Sequence, residues 1–277
     1  MGLFKSAPEE QQHSFVEPEF CDYMDEFAGK PVKITCDTNY LQCLPNMAQP
    51  YCIKIQTHAL VNALLPGLLN SAEASRMESI RQILAEHLGG RCVGQGIVAE
   101  QSTAFLIYYV DEERAKYADK ILSDTLIGTL RNAKYDMVYD PDGKEYLHYL
   151  YPSELQRKQM EDEKILGTLK NYGDDGSEIR KVSFNFIFPN RKAALGFFNH
   201  TAEKGFKYES LTSQPAPEGL VLPRYHLVLS KDMPFDIELL DLVNAYLLGH
   251  VDLFEGDYRG LETDVITPRY SELRKLK

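Results

Sequence analysis

The chain has 277 residues, 44% hydrophobic, 26% charged and 11% aromatic, which is enough to bury one large core or two ordinary ones. Collagen, simple disorder and a disulfide miniprotein are excluded by that composition. A formal net charge of -11, from 41 acidic and 30 basic residues, opposes attraction to nucleic-acid phosphate or anionic lipid and suits a basic protein partner.

No run approaches the roughly 18 uninterrupted apolar residues of a membrane span, and the opening MGLFKSAPEEQQHSF lacks a basic segment followed by an apolar one. The expected location is the cytoplasm. The five cysteines (Cys21, Cys36, Cys43, Cys52, Cys92) are odd in number and contain no CxxC, so they read as reduced thiols rather than a disulfide framework or a zinc module.

Residues 1–30 are polar and acidic without a sustained period and read as a loosely attached arm. Strand-like runs follow at Val32 to Cys36 and at Tyr51 to Ala59. Asn70 with Glu73 forms a plausible helix-opening box, and Met77, Ile80, Ile83, Leu84 and Leu88 recur at helical spacing up to Gly89-Gly90. Arg91 to Ala99 and Thr103 to Val110 read as a hairpin. Asp111 then caps a helix whose Ala115, Ala118, Ile121, Leu122, Thr125 and Leu126 share a face. A strand at Tyr135 to Tyr139 breaks at the Pro141-Asp142-Gly143 turn, and Tyr146 to Tyr149 reads as a closing strand.

A second capping box, Ser153 with Gln156, opens a highly charged helix ended by Gly173, and the boundary is placed at 152/153. A strand (Lys181 to Phe188), a helix (Arg191 to Lys204), a strand (Phe206 to Tyr208), a Pro-rich loop (Gln214 to Gly219), a strand (Tyr225 to Ser230), a helix (Phe235 to Gly249) and a strand (Tyr258 to Val265) complete the chain. Residues 31–152 and 153–277 thus both contain the order strand, helix, strand, strand, helix, strand. The predicted fold class is α+β: two ferredoxin-like, split βαβ domains, each an antiparallel sheet of about four strands with its helices on one face.

Catalytic signatures are missing. The seven histidines form no HExxH, and Gly94-Gln95-Gly96 follows a helix and precedes no helix, so it is not a dinucleotide fingerprint. No cofactor and no metal are expected. Gly173-Asp174-Asp175 is the most tempting acidic group, and a metal-dependent hydrolase using Asp174, Asp175 and Glu178 is the enzyme alternative; a helix stop is the simpler reading. Val182, Phe184, Phe186 and Phe188 alternate along one strand opposite Ser183 and Asn185, which buries the phenylalanines under the helices instead of offering them to RNA.

The stretches LYPSELQRKQ, ILGTLKNYGDD, KVSFNFIFP, GFKYES, RYHLVLSKDM and GDYRGLETDVI together resemble the bacterial regulator of ribonuclease E activity B, the RraB-like domain. The first half, ending in LHYLYP, resembles a bacterial family of unknown function (DUF six-nine-five). Leu261 stands where the regulator family usually has tryptophan, and Arg259 where an acidic residue is usual. The resemblance implies a non-catalytic regulator that binds an endoribonuclease, and the acidic net charge argues against direct nucleic-acid or membrane contact; the alternative is a two-domain adaptor of unrelated function. It also implies candidate binding residues Asp174, Asp175, Tyr258, Glu262 and Thr263, with Gly173, Gly205 and Gly260 as structural positions.

Overall fold

The structure is a computed structural model and describes residues 16–58, 64–65, 68–69, 71–98, 103–129, 133–215 and 223–266. The chain divides into two compact units, Met1–Pro152 and Ser153–Lys277.

In the first unit, β1 (Phe20–Phe27) and β2 (Lys30–Asp37) form an antiparallel hairpin, and a 3-10 turn (Thr38–Cys43) leads to β3 (Tyr51–His58). A short ribbon of β4 (Leu64–Leu65) and β5 (Leu68–Leu69) precedes α1 (Ser71–Leu88). Then come β6 (Arg91–Val98), β7 (Thr103–Val110), α2 (Glu112–Thr129), β8 (Lys134–Tyr139) and α3 (Lys144–Tyr149). The sheet order is β1-β2-β6-β7-β3-β8, with every pairing antiparallel. Its last four positions are the split βαβ arrangement, because β3 is enclosed by β7 and β8. The hairpin β1-β2 widens that sheet to six strands instead of about four.

The second unit contains α4 (Glu154–Asn171), β9 (Arg180–Phe188), α5 (Arg191–Ala202), β10 (Lys207–Gln214), β11 (Arg224–Met233), α6 (Ile237–Val251) and β12 (Asp257–Thr263). Its sheet order, β10-β11-β9-β12, is the same split arrangement, again antiparallel throughout. The predicted α+β class with two ferredoxin-like domains is therefore the observed one.

Each core lies between one sheet face and its helices. In the first unit, Met77, Ile80, Leu84 and Leu88 of α1 and Ala115, Ala118 and Leu122 of α2 pack on Ile53, Ile55, Leu106, Tyr108 and Val110. In the second, Val182, Phe184, Phe186 and Phe188 are all fully buried against Ala194, Phe197, Leu240, Val243 and Leu247. The alternation along β9 thus places the aromatic side chains under α5 and α6. Asn70, residue 59, the turn at residues 100–102 and most of the loop after Gln214 lie outside the described residues, as do the side chains of Thr125 and Leu126.

Two local expectations are corrected. The arm assigned to residues 1–30 ends earlier, since β1 begins at Phe20; Tyr23 is buried and its hydroxyl donates to the Leu150 carbonyl at 2.7 Å. Its neighbours on this edge strand are mostly exposed, so the segment looks polar in composition. The closing strand at Tyr146 to Tyr149 is instead α3. Asp140 starts it: one carboxylate oxygen accepts the Lys144 amide at 2.8 Å, and the other accepts the Glu145 amide at 2.9 Å and the Tyr109 hydroxyl at 2.7 Å. Helix geometry then sends the Tyr146 ring into a buried cluster, with Tyr40 5.0 Å away between centroids, and lets the Tyr146 hydroxyl reach the Asp37 carbonyl at 2.9 Å.

Replacing Asp140 removes three acceptor contacts and leaves the Tyr109 hydroxyl without its partner. Asp140→Ala is expected to cost about 1–3 kcal/mol of stability. Hydrogen exchange should show the 144–150 amides losing protection before those of β7; unchanged protection there would contradict this role for Asp140.

Candidate interaction surface of the second unit

The candidate residues sit at the exit of α4 and along β12. Ser153 caps α4 through the Gln156 amide at 3.3 Å, while the Gln156 side chain accepts the Ser153 amide at 2.8 Å. At the other end the Asp174 amide reaches back to the Leu169 carbonyl at 3.0 Å, and Gly173 adopts φ +78°. Such a left-handed residue closing a helix favours glycine, because a Cβ would crowd the backbone. Gly205 stands in the equivalent turn after α5.

The turn aims Asp174 inward. Only 3% of Asp174 is exposed, and it takes the Arg180 guanidinium at 2.6 and 2.7 Å, one contact to each oxygen. It also accepts the Gly176 amide at 3.0 Å and the Ile266 amide at 2.7 Å. Arg180 adds bonds to the carbonyls of Glu178 at 3.2 Å and Asp264 at 3.3 Å. These hydrogen bonds, the Arg180 pair foremost, hold the Asp174 carboxyl down at about 2 against its burial. Asp174 is therefore a buried tie between α4, β9 and the chain after β12. Its commitment to Arg180 also leaves no open carboxylate for a metal shared with Asp175 and Glu178, and among the described residues no three His, Cys, Asp or Glu side chains converge as a metal site.

Asp175 points the other way. It is exposed, with one oxygen accepting the Ser177 amide at 3.0 Å and its hydroxyl at 2.6 Å, contacts that lower its pKa. Glu178 is exposed as well.

Tyr258 is buried, stacked on Phe186 with centroids 5.1 Å apart. Its hydroxyl donates to Asn244 Oδ1 at 2.9 Å, and Asn244 Nδ2 donates to Asp162 on α4 at 2.7 Å. Burial pushes the Asp162 carboxyl up to about 6, with the Asn244 bond opposing the shift. Sequence reasoning named Tyr258 but missed Asn244 and Asp162; Asn244 in the middle of the apolar α6 was the available signal. Gly260 follows a bulge in the β12 register at φ +121°, close under Lys158 and Glu161.

On β12, Glu262 is exposed opposite Ser183, and the half-buried Thr263 donates to the Lys181 carbonyl at 3.1 Å. Leu261 packs against the core, and Arg259 is paired with Asp257 at 2.7 Å. The sheet face away from the helices is polar: His226 meets Asn185 at 2.9 Å, and Glu209 joins Lys181 at 3.0 Å and Ser230 at 2.7 Å. Of the candidate carboxylates, the structure leaves Asp175 and Glu262 open to a partner.

Residues 159–263 match the model of the family described as Regulator of ribonuclease activity B, a segment running from within α4 to the end of β12. No curated protein matches the chain. Among solved structures, an unknown protein from Galdieria sulphuraria is 14% identical, covering 78% of this chain and 99% of that one at a TM-score of 0.23. A protein provisionally described as a glycine cleavage system transcriptional repressor is 10% identical, covering 77% and 98% at a TM-score of 0.23.

Two buried carboxylates give opposite pH signatures. Asp174, with a depressed pKa, contributes stability that is present above the ordinary carboxylate range and lost as pH falls toward 2. Asp162, with a raised pKa, favours the folded state below about pH 4, and this contribution disappears as pH rises through 6. Asp174→Ala should cost about 3–5 kcal/mol, because it strands Arg180. Asp162→Asn should stabilise the protein at pH 7.5 by on the order of 1–2 kcal/mol and flatten the change in Tm between pH 4 and 7. Melts of both variants across this range check the signs.

Proposed function

We propose that residues 153–277 form a protein-binding regulator of an endoribonuclease of the ribonuclease E type, acting by contact and without chemistry of its own, with the cytoplasm as its compartment. The family match over residues 159–263 is the observation that carries this reading. The contact surface is the α4–β9 loop carrying Asp175 together with the exposed edge of β12 carrying Glu262, and the partner element is a basic segment. Asp174, Tyr258 and Thr263 serve that surface from behind by fixing the loop and the strand.

Charge supports local recognition rather than a global field. Residues 153–277 hold 20 acidic and 17 basic side chains, whereas residues 1–152 hold 21 and 13, so most of the excess charge lies in the first unit. A basic segment meeting Asp175 and Glu262 then gains from short-range pairing at the contact, and its association weakens as salt rises. For the first unit, the sequence resemblance to the DUF six-nine-five family leaves a separate role.

The test is inhibition of RNA cleavage by a purified ribonuclease E-type enzyme. Wild-type protein should inhibit at low salt, and Asp175→Lys/Glu262→Lys should weaken inhibition roughly tenfold or more, since about 1.4 kcal/mol corresponds to a factor of ten. The melting temperature should hardly move, because exposed charges contribute little to stability. Absence of binding by wild-type protein at low salt, or full inhibition by the double variant, would contradict the proposal.

A further inference from the structure

The face of the first sheet opposite α1 and α2 is only partly covered by α3. Beyond α3 lies a pocket of about 330 Å³, within the size range of small-molecule sites. Its apolar wall comes from three rings supplied by three different elements: Phe27 at the end of β1, Phe105 on β7 and Tyr149 at the end of α3. The Tyr149 centroid lies 6.2 Å from that of Phe27 and 6.4 Å from that of Phe105. Gly96 makes the floor possible: a Cβ there would stand 2.2 Å from the Phe105 ring, so only glycine lets that ring lie across β6.

Three charged groups of both signs line the pocket with these rings: Lys54, Lys134 and Asp136. Lys54 reaches up from β3 and lies 2.7 Å from Glu145, 3.8 Å from Asp136 and 5.2 Å from the centroid of Tyr149. Lys134, on the same face of β8 as Asp136, is exposed at the pocket. A purely anionic ligand would meet Asp136, and a purely cationic one would meet Lys54 and Lys134. A molecule with adjacent opposite charges on an apolar body satisfies both signs and fills the aromatic wall.

We propose that this pocket binds a free α-amino acid with a large apolar side chain, its carboxylate toward Lys134 and Lys54, its ammonium toward Asp136, and its side chain among Phe27, Phe105 and Tyr149. The site lies wholly in the first unit and does not depend on ribonuclease regulation.

Calorimetry and thermal melts of the full chain with L-phenylalanine, L-leucine, 3-phenylpropionate and phenethylamine test it without any ribonuclease. At least one of the two amino acids should bind and raise the melting temperature, and the two single-charge analogues should bind roughly tenfold or more weakly. Lys134→Ala/Asp136→Ala, both at exposed positions, should leave the melting temperature of the free protein unchanged while weakening amino-acid binding roughly tenfold. Phe27→Ala, at a half-exposed ring, should weaken binding in the same direction. No heat and no melting shift with any of the four compounds would overturn the proposal. So would equal binding of an analogue, or full binding by the double variant.

Discussion

The Asp174–Arg180 pair is the constraint on which the second unit's surface depends. A carboxylate and a guanidinium at 2% side-chain exposure each would be costly to bury alone, and their bidentate geometry with further backbone bonds offsets that cost. The pair joins segments 92 residues apart, because Asp174 also holds the amide of Ile266. With Asp174 turned inward, Asp175 is turned outward on the same short loop. The presentation of one carboxylate thus follows from the burial of its neighbour.

Tyr258, Asn244 and Asp162 do comparable work on the other side of β12, where α4 meets α6. This chain of hydrogen bonds is less settled electrostatically, since Asp162 is held in a place that favours its neutral form. One carboxylate of this unit is thus held charged by its partners and another is pushed toward its neutral form by burial, so the two act on stability with opposite pH dependence. The first unit repeats the split βαβ plan but spends its extra elements differently: the β1-β2 hairpin widens the sheet and α3 covers part of the second face. What those additions leave uncovered is the aromatic pocket.

Much of the fold could be read from local patterns. The alternation Val182, Phe184, Phe186, Phe188 specifies a half-buried strand, and the Ser153–Gln156 box with Gly173 delimits α4 to within a residue at each end. The buried Asn244 stood out within an apolar helix, whereas α3, β1 and the inward turn of Asp174 had no local signal. The six residues of α3 are too few to show a helical period, and their helix depends on Asp140 meeting Tyr109 across the sheet. The strand β1 is an edge whose inward residues are sparse, so its composition resembles an arm. Asp174 and Asp175 are chemically identical in sequence, and their opposite fates are decided by Arg180 and Ile266, which no motif links to them.

Hydrogen-exchange footprinting of the full chain with and without a ribonuclease E-type enzyme tests the central claim most directly. Binding through the proposed surface predicts added protection in residues 172–179 and 257–263, with the first unit unchanged. Protection confined to the first unit, or none anywhere at low salt, would contradict it.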